Sequence, residues 1–288
     1  GVSQLGGALN SNPNLAGTAG ARLIINEVTS GNTSLLAGHT EIFGRSAQYI
    51  LSNPNGITCS GCGFINTPRS TLTTGTPVFA PNGNLQSLSV DQGTITIGGT
   101  GLDASNVDYF DIVSRSSEIN AAINAKELNI TAGRNDYDYA TRAATAKADD
   151  GSLQPAFAID STALGGMYAN RITLVGTEAG VGVRAAGDMA ATGGDLSLNA
   201  DGTISFAKAT ASNNLTANSA NGGVTLNGNV YGGNDLDLRA DNGTVTFGTN
   251  TTSGAQNTVS VNAENVTLED NAALVAGLSA DGKTTQSG

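Results

Sequence analysis

The feature that most constrains this chain is a repeat. The stretch DLSLNADGTISF at 195–206 returns as DLDLRADNGTVTF at 235–247, 40 residues on and one residue longer. A fixed period of this size decides the architecture before any local reading does. The unit divides further. Ile204, Val224, Val245 and Val266 each open an apolar-Ser/Thr-apolar triplet, at spacings of 20, 21 and 21. A second series, Leu196, Leu215, Leu236 and Val259, interleaves with it at 19, 21 and 23. Apolar residues two apart are the mark of a short strand with one buried face. Gly, Asn and Asp between the triplets suit tight turns. One coil is therefore about 20 residues with at least two short strands.

Such a coil cannot bury its apolar face alone, whereas coils stacked on one another bury a continuous column. The expectation is an all-β chain folded as a β-helix. A propeller blade has a similar 40-residue length, but the half-period near 20 and the lack of Trp speak against it. A calcium-binding nonapeptide roll is disfavoured because no nine-residue period follows Gly232-Gly233-Asn234-Asp235.

Charged residues make up only 13% of the chain and Gly contributes 39 of 288 residues. This suits a turn-rich β protein and argues against a helical bundle. The net charge is −11 with a pI near 4.3. No basic run exists, so nucleic-acid binding lacks its electrostatic footprint. No apolar run reaches the length of a membrane span, and the first residues do not read as a signal peptide.

Along the chain, Asn12-Pro13-Asn14-Leu15 and Asn53-Pro54-Asn55-Gly56 read as turns. Residues 134–165 are polar and Ala-rich and read as one excursion outside the solenoid. Regular coils are expected over 195–278, and a flexible tail over 279–288. Cys59 and Cys62 are the only cysteines. With the single His39 they fall short of a zinc ligand set, and a redox motif lacks its βαβ context. A local disulfide and two plain thiols both remain open. The carboxylates Asp108 and Asp111, Asp136 and Asp138, and Asp149 and Asp150 form no acidic stack with a basic neighbour when the coils are aligned. No catalytic residue, metal ligand or cofactor site is expected, and the chain does not read as an enzyme.

The two NPN turns, Ile25-Asn26-Glu27-Val28, the run ITCSGCGFINTPR at 57–69 and the stretch at 158–184 occur in an order that resembles the two-partner secretion domain of large bacterial exoproteins. The CSGCGFIN form is most similar to contact-dependent growth inhibition exoproteins, with filamentous haemagglutinin adhesins as nearest relatives. The resemblance implies a right-handed parallel β-helix with extra-helical strands, a single domain over 1–288 whose family motifs fill 1–184. It implies secretion to the cell surface through the periplasm, and recognition by the POTRA domains of a partner outer-membrane transporter of the TpsB/CdiB type. A monomer without a membrane span is expected. Asn12, Pro13, Asn14, Asn53, Pro54, Asn55 and Gly56 are the positions that carry the motif over, either as recognition groups or as residues that shape the coil. An adhesin module is the competing function, with a polysaccharide-active β-helix enzyme behind it. Family members carry a longer capping segment before the first NPNL, where eleven residues stand here; a shortened cap or a chain that starts inside it is expected.

Overall fold

The computed structural model describes residues 1–10, 13–15, 17 and 19–283. Its body is a parallel β-solenoid with three strands per coil. Face A begins with Leu23–Glu27 and Gln48–Ser52 and runs through ten strands to the first half of Thr258–Leu268. Face B begins with Ser34–Leu36 and likewise links ten segments. Face C runs from His39–Glu41 to Ala273–Ala276. Ten coils at the usual strand spacing make a stack roughly 45 Å long.

The two apolar series of the sequence are two of these ladders. Leu196, Leu215, Leu236 and Val259 pair in register on face A. Ile204, Val224, Val245 and Val266 do so on face B. In the first three triplets the inward residues are buried and the middle one is half exposed, as in Ile204–Phe206 and Val224–Leu226, whereas Val266 and Leu268 on the last coil are about half exposed. Each fully buried Leu, Ile or Val contributes about 1.5–3 kcal/mol of transfer free energy. The third strand of each coil escaped the sequence reading. Face C uses Ala209–Ala211, Val230–Gly232 and Met189–Ala191, where small residues fill a narrow corner and carry little strand signal.

The chain leaves the solenoid twice, not once. Thr76–Phe79 and Leu85–Val90 form one hairpin, and Asn135–Asp138 and Ala144–Ala146 a second. Together they make a four-stranded antiparallel sheet. The chain is back on face B by Phe157–Ser161, inside the interval expected to stay outside, and on face C by Met167–Ala169, just after it. The hairpin at 76–90 was missed because its alternation of apolar and polar residues is the same whether a strand faces the solenoid core or an added sheet.

This extra sheet covers the outer side of face A. Leu88, Val90, Tyr137 and Tyr139 pack on Ile50 and Val113 in a second core. Face A is therefore buried on both sides here, and 69–73, 110–114 and 128–132 read as unbroken buried runs. Ion pairs fasten the sheet down. Arg69 Nε donates to Asp111 Oδ2 at 2.7 Å, its Nη1 donates to the Tyr139 carbonyl, and its guanidinium lies 3.8 Å from the Tyr139 ring centroid. Arg142, at φ 64°, stacks on Tyr109 and approaches Asp111 and Glu127. At the base of the excursion Arg115 pairs with the largely buried Glu178.

At the front of the stack, Val2–Ser3 and Gly7–Ala8 form a small hairpin. The Glu41 carboxylate holds it, accepting from Ser3 Oγ at 2.6 Å and from the Gln4 and Leu5 amides at 3.0 Å each. At the other end, Ser279 and Lys283 close a turn. The remainder of the expected tail, 284–288, lies outside the described residues.

Candidate functional site

The NPNG turn is the corner between face A and face B of the second coil, joining Gln48–Ser52 to Ile57–Ile65. Pro54 fixes φ at the first central position of the turn. The Gly56 amide donates to the Asn53 carbonyl at 3.0 Å and closes it. Gly56 sits at φ 116°, and a Cβ there would come to 2.9 Å from the Thr94 carbonyl of the third coil. Only Gly combines that backbone with that approach.

Asn53 is completely buried and uses its whole side chain. Its Nδ2 donates to the Asn32 carbonyl at 2.9 Å and to Ser34 Oγ at 2.8 Å, both in the first coil. Its Oδ1 accepts from the Asn55 amide and from Asn55 Nδ2. Asn55 Nδ2 also donates to the Ser30 carbonyl at 2.7 Å. The Pro54 carbonyl accepts from Gln92 Nε2 of the third coil. The motif thus ties coils one, two and three together.

The first motif is elsewhere. Pro13–Leu15 is a single 3₁₀ turn ahead of the first coil, with Pro13 and Asn14 exposed. Asn12 lies outside the described residues. Cys59 and Cys62 are joined by a disulfide at the next corner of the same coil. His39 opens the first strand of face C and is exposed; its ring lies against the Gly63 backbone, with Cδ2 and Nε2 both 2.6 Å from where a Cβ would stand. The carboxylates do not pair with one another. Asp108 meets Lys126 at the surface, whereas Asp111 is buried against Arg69. Asp195 and Asp235 are corner residues: Asp195 accepts from the Asn214 amide, and Asp235 from the Thr258 amide.

Electrostatically the strongest perturbations lie under the extra sheet. Burial pushes the Tyr137 phenol far above its ordinary range, with Asp111 adding to the effect. Burial alone would weaken the charge on Arg69, but Asp111 together with Tyr139 and Tyr137 more than offsets this and the guanidinium is held charged. These groups are enclosed and fasten two sheets. Sequence reasoning missed this cluster, since its members lie far apart along the chain, and no residue spacing announces them.

Three-strand coils in parallel register, with an antiparallel sheet clasped to one face near the front, define a parallel β-solenoid with extra-helical strands. The family profile of the TPS secretion domain matches residues 1–206, and the chain belongs to that family. It is 47% identical over 249 residues to the tRNA nuclease CdiA of Escherichia coli strain NC101, a match covering 84% of this chain and 7% of that protein. It is 50% identical over 202 residues to the tRNA nuclease CdiA-2 of Burkholderia pseudomallei strain 1026b, covering 70% of this chain and 6% of that protein. The 16S rRNA endonuclease CdiA of Enterobacter cloacae is 47% identical over 81% of this chain. The chain thus spans less than a tenth of the curated relatives it matches. Among solved structures, the filamentous hemagglutinin secretion domain superposes with a TM-score of 0.62 at 34% identity, covering 96% of this chain and 82% of that one.

Proposed function

We propose that this chain is the secretion-directing front of a far longer exoprotein of the contact-dependent growth inhibition type. In this reading the unfolded chain is taken in the periplasm by the POTRA domains of an outer-membrane TpsB/CdiB-type transporter. It then folds outside the cell, coil by coil, as a monomer. Residues 1–288 act as one domain, with the family motifs over 1–184 and plain coils over 195–278. The nuclease activities named for its relatives reside outside the matched segment.

One observation carries the reading. The side chain of Asn53 is enclosed and fully engaged by the fold, and Asn55 Nδ2 is bound within the same turn, so Asn53 is legible to a partner only before coil two closes. Coil-by-coil stacking supports the second half. Each coil needs only its predecessor as a template, so folding at the far side can draw the chain outward. Asn12, Pro13 and Asn14 belong to the same recognition set, and of these Pro13 and Asn14 stand ahead of the first coil. The test is binding to the isolated POTRA domains of the neighbouring transporter. The urea-unfolded chain should bind at least tenfold more tightly than the folded one, and lose that advantage when 53–56 is changed to Ala. Equal binding of both states, or none, would overturn the proposal.

A further inference from the structure

The disulfide lies outside the motif just described, and its position dictates an order of events. Cys59 and Cys62 are three residues apart, with Cα atoms separated by 5.5 Å. Both side chains belong to the central core, at 0% and 2% exposure. Cys59 is stacked between Leu36 of the first coil and Ile97 of the third. Cys62 pairs with Leu102 of the third coil. The corner of that third coil closes over the ring. Cys59 Sγ lies 3.5 Å from the Gly101 carbonyl, and a Cβ on Gly61 would stand 2.4 Å from Thr100 Oγ1. Thiol–disulfide exchange requires a thiolate to reach a sulfur directly. An open cavity lined by His39, Gly61, Cys62 and Thr100 reaches the edge of the ring, but the burial of both cysteines restricts such an approach.

We propose that the Cys59–Cys62 bond is made in the unfolded chain, by exchange with an external disulfide oxidant, and that stacking of the third coil on the second then seals it. One cysteine thiolate attacks the oxidant's disulfide and forms a mixed disulfide. The thiolate of the other cysteine displaces it, the new bond closes, and the oxidant leaves as a dithiol carrying the two electrons and two protons. This step rests on the export reading for its location: an oxidising compartment crossed before folding supplies such an oxidant. The ring encloses only Ser60 and Gly61. A bond this local leaves the oxidised chain a single thread, whereas a bond between distant segments would tie it into a double one. The reaction class that acts just upstream of folding is therefore dithiol oxidation, and the folded domain is no longer its substrate.

The order can be tested on the purified chain. The protein is reduced in urea, refolded in dithiothreitol, freed of it, and exposed to oxidised glutathione. Free thiols are trapped with N-ethylmaleimide and counted by mass, with a CSGC tetrapeptide correcting for the effect of urea on the exchange. Closure in the folded chain should be at least ~100-fold slower than in the unfolded chain, because it waits on local opening of the stacked coils. Reduction of the folded, oxidised protein by dithiothreitol should be slowed by a comparable factor. A reduced chain that fails to refold supports the same order, since the bond then precedes folding by necessity. Folded and unfolded rates agreeing within about threefold would overturn the proposal. No transporter enters the experiment, so the export reading and this one stand or fall separately.

Discussion

Replacing Asn53 by Ala deletes four hydrogen bonds at one buried position. Two partners, the Asn32 carbonyl and the Asn55 amide, are backbone groups that cannot turn elsewhere. The other two, Ser34 Oγ and Asn55 Nδ2, can reorient. An average bond contributes about 1 kcal/mol, and a buried group left without a partner costs about 1–3 kcal/mol. The expected loss is roughly 2–4 kcal/mol, well above that of Asn55→Ala, where a half-exposed site lets water replace the bonds at about 1 kcal/mol. Urea unfolding followed by far-ultraviolet circular dichroism measures this. With a slope of roughly 3 kcal/mol/M, the Asn53→Ala midpoint should fall by about 1 M at unchanged slope. A loss below about 0.5 kcal/mol would refute the argument that this corner staples three coils. Binding of the same variant, already unfolded, to POTRA domains then reports recognition free of stability.

Asp111→Asn should destabilise by about 3–5 kcal/mol in thermal unfolding, because Arg69 is left charged and enclosed, whereas a double Arg69→Met, Asp111→Leu change should be close to neutral. Glu41 is held below its ordinary value of 4.5, first by the Ser3 hydroxyl and then by the Gln4 and Leu5 amides. A depressed carboxylate stabilises above the unfolded pKa and releases as pH falls through the folded one. Protease cleavage within residues 1–10 should therefore rise below about pH 4, and Glu41→Gln should show that susceptibility already at neutral pH. Phe247→Ala, in the core of the ninth coil, should cost about 3–5 kcal/mol, while Val266→Ser, half exposed on the last coil, should stay within about 1 kcal/mol.

The regular coils were legible because one side of each strand faces the core and the other faces water. Leu196, Leu215 and Leu236 advertise their register for that reason. The same logic explains what was hidden. In the second to fifth coils face A is sandwiched between two cores, so Ile50 and Val113 point outward and are still apolar. Alternation there no longer separates inside from outside, and the hairpin at 76–90 could not be told from another coil. The third face was silent because Ala209 and Ala211 fill its corner without a β-branched or aromatic residue. The NPNG turn was legible as a turn from Pro54 and Gly56. That Asn53 spends its amide nitrogen on the preceding coil depends on residues 19–21 positions upstream, a relation only the stacked coils create.

The three ladders repeat the same kind of inward residue at every level, and each level contacts only the ones above and below it. A coil copied or deleted whole between Leu196 and Ala276 would leave its neighbours facing much the same surfaces as before. Length in this part of the molecule is therefore a free variable, changeable in steps of about 5 Å without redesign. The clasped sheet at the front has no such freedom: its two hairpins meet only if the number of coils between them is kept. The same chain thus joins a segment whose size is fixed by geometry to one in which recombination can set the reach.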